Sequence, residues 1–172
     1  VANEHSVYAC SNTGYVHKIN GDATTATVQI EGARLLDCAL SGESLYALSH
    51  RKELHELDAA SLAVKRKISL AYDGLCCTFV ARTGEVWVGD KKGNIHVLAV
   101  DSLEEKQVIE ASQQPILCIR TAPDSSKVAS GDKQRKVAVW NAVEKDKLFD
   151  HGYHVNKLED LCFTADSAGI AS

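Results

Sequence analysis

The amino-acid sequence predicts an all-β chain assembled from repeated four-stranded units, and three observations carry that prediction. Four segments align without gaps: residues 8–19 (YACSNTGYVHKI), 46–57 (YALSHRKELHEL), 87–98 (WVGDKKGNIHVL) and 129–140 (ASGDKQRKVAVW), their starts 38, 41 and 42 residues apart. Apolar residues in these segments alternate or run in short stretches, as in Val86-Trp87-Val88 and Ile95-His96-Val97-Leu98. That is strand periodicity, and helical periodicity is absent. Turns rich in Gly, Asn, Asp and Lys, residues that tolerate turn geometry, separate the paired stretches. Four strands in every forty or so residues is the arithmetic of a β-propeller blade.

Within each period the strands follow a fixed order. An apolar run comes first, at residues 35–40, 75–80, 116–121 and 158–164. A turn follows, as in Ala122-Pro123-Asp124-Ser125 and Ala165-Asp166-Ser167, then the aligned pair, then a charged strand such as residues 63–70 or 106–110. Named a to d outward from the axis, strand a is the most apolar and strand d the most charged. The expected layout is strands b–d of blade 1 at about residues 5–31, blade 2 at about 34–71, blade 3 at about 74–111, blade 4 at about 115–151, and the start of blade 5 at about 157–172. About four blades of four antiparallel strands are expected to form part of a seven-bladed ring. A four-bladed closure and an eight-bladed ring from two chains are the alternatives. The chain opens on Val1 rather than Met, so it reads as a portion of something longer. An open set of blades exposes a blade face and is expected to self-associate through it.

Composition narrows the function classes. The 172 residues are 45% apolar, enough for one well-filled core. A net charge of −4 and a pI near 6.0 argue against nucleic acid as a partner. No apolar run reaches membrane-spanning length and the first residues lack a signal-peptide pattern, so no membrane partner is expected.

Two residue types recur with the repeat. Cys38, Cys77, Cys118 and Cys162 fall in strand a, 39, 41 and 44 residues apart. One cysteine per blade reads as a buried inner-strand position filled by a small hydrophobe in a reducing compartment. The short C-x2-C spacing of zinc sites is absent. His17, His55 and His96 share one position in strand c, with Ala138 in the fourth copy. Zinc needs ligand nitrogens within about 2.0–2.1 Å, whereas packed sheets lie about 10 Å apart, so these histidines cannot meet on one ion. No nucleophile–base set, phosphate-binding loop or paired-carboxylate motif is present. Asp124-Ser125 and Asp166-Ser167 read as turn formers. Neither catalysis nor a cofactor or metal is expected.

The charged turns carry more information. Those between strands b and c hold Arg51 and Lys52, then Lys91 and Lys92, then Lys133, Arg135 and Lys136. Equivalent in the repeat, they are expected side by side on one rim, as a basic surface that steers an acidic protein towards it. The opposite turns carry Glu43, Asp58, Glu85, Asp101, Asp124 and Asp166, which predicts an electrically two-faced molecule. Lys65-Arg66-Lys67 lies on an outermost strand, where cations discourage edge-to-edge aggregation.

Residues 128–141 (VASGDKQRKVAVWN) resemble a WD40 blade, with Trp140-Asn141 where the Trp-Asp dipeptide stands and His154 near the place of the Gly-His pair. Lys92 and Gln134 stand where the turn usually has Asp, and Leu57 and Leu98 replace Trp. The blades are therefore expected to lack most of the polar network and to rely on apolar packing. Within the WD40 class, residues 87–98, 130–137 (SGDKQRKV) and His154-Val155-Asn156-Lys157-Leu158 resemble the second propeller of the actin-interacting protein 1 family, over roughly residues 70–172. The resemblance implies a non-catalytic interaction propeller that binds actin, promotes filament disassembly with cofilin and is cytoplasmic or cytoskeletal. It also implies that the first propeller of that family carries much of the actin contact. The alternative is a WD40 scaffold subunit of an unrelated multiprotein complex. A propeller enzyme would need polar or metal-binding residues facing the axis, where this sequence has Leu, Cys, Ile, Phe and Val.

Overall fold

The structure, a computed structural model, describes residues 1, 6–152 and 158–171. Strands and turns make up the described residues, with no helix among them. His154 to Lys157, part of the resemblance above, lie outside the described residues. The chain divides into two compact units, Val1–Gly74 and Leu75–Ser172.

The first unit holds β1 (Val7–Cys10), β2 (Tyr15–Asn20), β3 (Ala23–Gln29), β4 (Leu35–Ser41), β5 (Ser44–Ser49), β6 (Glu53–Asp58) and β7 (Val64–Ser69). They form two antiparallel sheets, ordered β1-β2-β3 and β4-β5-β6-β7. Between the sheets Tyr8, Val16, Leu35, Cys38, Leu45, Leu57 and Leu62 form one apolar cluster. The Tyr8 hydroxyl donates 2.7 Å to the Ala59 carbonyl in the turn after β6, fixing one sheet against the other.

The second unit follows with β8 (Gly74–Val80), β9 (Glu85–Asp90), β10 (Asn94–Ala99), β11 (Glu105–Glu110), β12 (Ile116–Thr121), β13 (Lys127–Asp132), β14 (Val137–Asn141), β15 (Lys147–His151), β16 (Cys162–Phe163) and β17 (Ile170–Ala171). Its sheets are β8 to β11, β12 to β15 and the pair β16-β17, each in sequential order. Among the described residues, apolar clusters form around Trp87, Ile116, Ile119 and Trp140 and around Cys118, Val139, Leu158 and Leu161. These four-stranded antiparallel sheets are WD40-type blades.

Burial peaks one strand further out than the sequence suggested. β5 and β9 are buried at every residue and β10 at all but its first, whereas β4, β8 and β12 mix buried with partly exposed residues. Strand a is a sheet edge, while strands b and c have a strand on either side. The outermost β7, β11 and β15 are largely exposed, as expected. All three cations of β7 reach carboxylates of their own sheet: Lys65 with Asp58, Arg66 with Glu56 and Lys67 with Glu53.

The cysteine pattern needs correction. A bulge between Leu35 and Asp37 puts Cys38 opposite Ala47, whereas one between Ile116 and Cys118 puts Cys118 opposite Gly131. Ala47 and Gly131 occupy the second and third positions of the aligned segments, so the two cysteines are one residue out of register and face opposite ways. Cys118 packs instead like Cys76: their sulfurs lie 2.8 Å from where a Cβ on Gly131 and Gly89 would stand. Cys162 is exposed, not part of a buried ring of thiols.

Candidate functional site

The turns between strands b and c are built the same way four times. The fourth residue of each aligned segment is Ser11, Ser49, Asp90 or Asp132, and its side-chain oxygen accepts amide protons of the turn. Ser11 Oγ takes Thr13 and Tyr15, Ser49 Oγ takes Arg51, Asp90 Oδ1 takes Lys92 and Asn94, and Asp132 Oδ1 takes Lys136, at 2.7–3.3 Å. These side chains mimic a backbone turn and hold the hairpin without strand pairing. The seventh residue adopts left-handed φ in every copy: Gly14 at 87°, Lys52 at 60°, Gly93 at 97° and Arg135 at 70°.

The segment joining one blade to the next ties neighbouring turns together. In the first unit, Ile30 N–H bonds to Gly14 O and Leu35 N–H to Ser11 O, while Arg34 N–H donates to His50 Nδ1. The Arg51 guanidinium lies over Gly32, 2.7 Å from where a Cβ would stand, and Gly32 itself has a left-handed φ of 64° that favours glycine. In the second unit, Ala111 and Ser112 N–H both bond to Gly93 O, and Lys133 N–H bonds to Pro115 O. Ser112 Oγ donates 2.6 Å to Asp132 Oδ2, so residues 111–115 join the turn of one blade to that of the next.

On this framework all seven predicted basic residues are exposed. Lys91 and Lys92 share a rim with Lys133, Arg135 and Lys136 through that connection. Arg51 and Lys52 occupy the equivalent turn of the first unit. Lys52 sits 3.3 Å from Asp73 in an exposed pair, and Lys136 pairs with Asp150. Hydrogen bonding to Lys136 holds the Asp150 carboxyl below its ordinary range and raises the Lys136 ammonium. Lys91, Lys92 and Lys133 have no carboxylate partner among the described residues.

The opposite end of the blades is less acidic than the sequence suggested. Glu85 is buried, taking hydrogen bonds from Trp87 Nε1 and Thr83 Oγ1 and an ion pair from Lys145 of the next blade at 3.3 Å. Its charge is compensated inside the protein and does not belong to an exposed rim. Asp58 accepts Ser61 N–H and Oγ–H, bonds that hold its carboxyl down to about 2. Asp124 and Asp166 cap their own turns, as read from the sequence.

The three repeated histidines are equivalent in register, opposite Ala9, Ala47 and Val88. Each contacts a group of its own blade: His17 meets Thr27, His55 lies 3.3 Å from Glu53, and His96 spans Asp90 and Glu105. Burial opposes ionisation of Asp90, but bonds from Asn94, His96 and Lys92 outweigh it and keep the carboxyl low. Burial pushes the His55 imidazole down, against the pull of Glu53. The polar network is also fuller than expected. Trp140 Nε1 donates 2.9 Å to Ser130 Oγ, and Ser112 Oγ donates to Asp132.

What sequence reasoning missed is this set of turn acceptors. The signal was an oxygen-bearing residue at one fixed place in all four copies, Ser, Ser, Asp and Asp. Chemically the arrangement displays cations on rigid turns; no helix is long and apolar enough to cross a membrane.

Comparison with known proteins gives a consistent class. No family model matches the chain. It is 33% identical over 91 residues to actin-interacting protein 1-2 of Arabidopsis thaliana, covering 51% of this chain and 15% of that protein. It is 26% identical over 98 residues to WD repeat-containing protein 1 of Xenopus tropicalis, covering 51% and 16%. A 66 kDa stress protein of Physarum polycephalum is 30% identical over 91 residues, covering 51% and 15%. The chain thus matches about one sixth of the length of these relatives. Over half its own length it is similar to WD-repeat propeller proteins, which supports a protein-interaction role.

Proposed function

We propose that this chain, a set of WD40-type blades, is a non-catalytic interaction surface of an actin-interacting protein in the cytoplasm or cytoskeleton. Its blades contribute to a seven-bladed ring, and it engages actin, with cofilin, in filament disassembly. The contact surface is the rim of Arg51, Lys52, Lys91, Lys92, Lys133, Arg135 and Lys136. The observation that carries this reading is the repeated turn itself: internal side chains rigidify each hairpin and leave the cations exposed. A preorganised basic surface speeds encounter with an acidic partner and loses less entropy on binding. The names of the similar proteins favour actin as that partner.

Co-sedimentation with actin filaments, with and without cofilin, at low and moderate salt tests the proposal. Pelleting that grows with cofilin, weakens with salt and disappears when Lys91, Lys92, Lys133 and Arg135 are changed to Glu is the expected outcome. A folded chain that stays in the supernatant throughout overturns the actin assignment and leaves a WD40 scaffold of another complex.

A further inference from the structure

Among the described residues, the outermost strands β3, β7, β11 and β15 each pair with a neighbour on one side only. An unpaired strand edge is a template for any extended chain, and charged side chains along it discourage that pairing. Three of the four edges carry such charges: Lys65, Arg66 and Lys67 on β7, Glu105, Lys106 and Glu110 on β11, and Lys147 and Asp150 on β15. The sequence of β3 at residues 23–29, ATTATVQ, carries none. It is the longest of the four, lacks Gly and Pro, and has four β-branched residues among its seven, all features that favour strand pairing. Every one of its residues is exposed or half-buried. Charge appears only just beyond its ends, at Asp22 immediately before it and Glu31 two residues after it. Both carboxylates are exposed, and neither makes an ion pair among the described residues.

We infer that the free edge of β3 is a docking site for an extended segment of a partner protein, with an uncharged, β-branched middle flanked by Lys or Arg. The backbone of that segment continues the sheet beyond β3, which supplies affinity, and its side chains pair across the edge with Thr24, Thr27 and Val28. Its two flanking cations meet Asp22 and Glu31. A charged residue in the middle of the segment would face Thr or Val and find no partner. A second copy of this chain is the poorer occupant. Two β3 strands paired antiparallel about Ala26 would set Asp22 of each copy beside Glu31 of the other, like charge against like. This edge is separate from the basic rim and selects the opposite charge, so the inference stands without that reading.

The probe is a fluorescein-labelled peptide, Lys-Thr-Val-Thr-Gln-Thr-Val-Thr-Gln-Lys, whose two cations are nine positions apart, as Asp22 and Glu31 are. Its binding to the whole chain would be read by fluorescence anisotropy. A version with Glu at both ends should bind about tenfold more weakly, because two cross-strand charge pairs turn from opposite to like. Two further versions are N-methylated at alternate residues, in one phase or the other. A strand added at an edge bonds on one side only, so one phase should abolish binding and the other leave it intact. Thr24→Lys, which gives β3 the protection its counterparts have, should weaken binding about fivefold, and Gln29→Lys at the far end should act alike. Asn12→Lys, which adds the same charge at an exposed turn, should change binding about twofold or less. Circular dichroism checks that the variants keep their sheet. Absence of binding, equal binding of the two methylated phases, or equal effects of Thr24→Lys and Asn12→Lys would each overturn the inference. So would self-association of the unmodified chain that Thr24→Lys dissolves, since a second copy would then occupy the edge.

Discussion

At the scale of the residue, the blades are specified by side chains that do backbone work. Ser11, Ser49, Asp90 and Asp132 each satisfy turn amides that the hairpin leaves unpaired. They stand in plain view in the aligned segments, yet turn chemistry alone makes Ser and Asp look interchangeable with any polar turn former. Glu85 was illegible for a different reason. Its partner Lys145 lies 60 positions further along the chain, so no local pattern marks it as buried. The exposed cations were legible, since charge on a turn is rarely buried. His55 yields a prediction at this scale. Its folded-state pKa lies below the ordinary 6.5, so the unfolded chain binds protons more readily. Its neutral form is accommodated above that value, and stability is lost as pH falls below about 6.5. Urea unfolding at successive pH values should show a steeper acid-side decline for the native chain than for His55→Gln. Parallel profiles would place the proton uptake elsewhere.

At the scale of the element, strand register decides how closely blades pack. A Cβ on Gly89 would stand 2.6 Å from Ile116 Cγ2 and 2.9 Å from its Cβ, and one on Gly131 would stand 2.0 Å from Leu158 Cδ2. The third residue of these aligned segments is glycine because strand a of the next blade, or the chain leading into it, occupies the space. Gly89→Ala should destabilise by about 1–3 kcal/mol through overpacking. Gly131→Ala should cost less, because the far end of a leucine can turn away whereas the Ile116 Cβ cannot. Chemical denaturation of both variants checks the order, and equal stability with the parent chain would refute the close-packing account. Strand type and turn placement were readable from alternation and Gly/Asn/Asp content. Register was not, because a bulge inserts one residue without altering the forty-residue period, and so the cysteines looked equivalent when they are not.

At the scale of the whole molecule, repetition made the architecture legible, while the blade edges depend on neighbours that a period cannot describe. Val137, Val139, Phe149, Phe163 and Ile170 line an apolar groove of about 240 Å³ in the second unit, and Phe149 is 54% exposed. Self-association through this face is our proposal. Sedimentation velocity should show concentration-dependent association that Phe149→Lys abolishes without loss of β-sheet circular dichroism. A monomer at all concentrations would end it. The two-faced electrostatics anticipated from the turns is weaker than drawn, because buried Glu85 faces Lys145 rather than solvent.

The segments that join neighbouring turns also bear on how the chain acquires its fold during synthesis. The turn at Gly93 receives Ala111 and Ser112 only some twenty residues later, and Asp132 finds Ser112 behind it. A blade leaving the ribosome therefore has an unfinished rim until the linker that follows it has emerged, and that linker gains its Ser112–Asp132 bond from the blade after it. Each blade's rim is thus completed by chain that emerges later, and a pause in translation just after a b–c turn would leave a hairpin whose carbonyls are still hydrated.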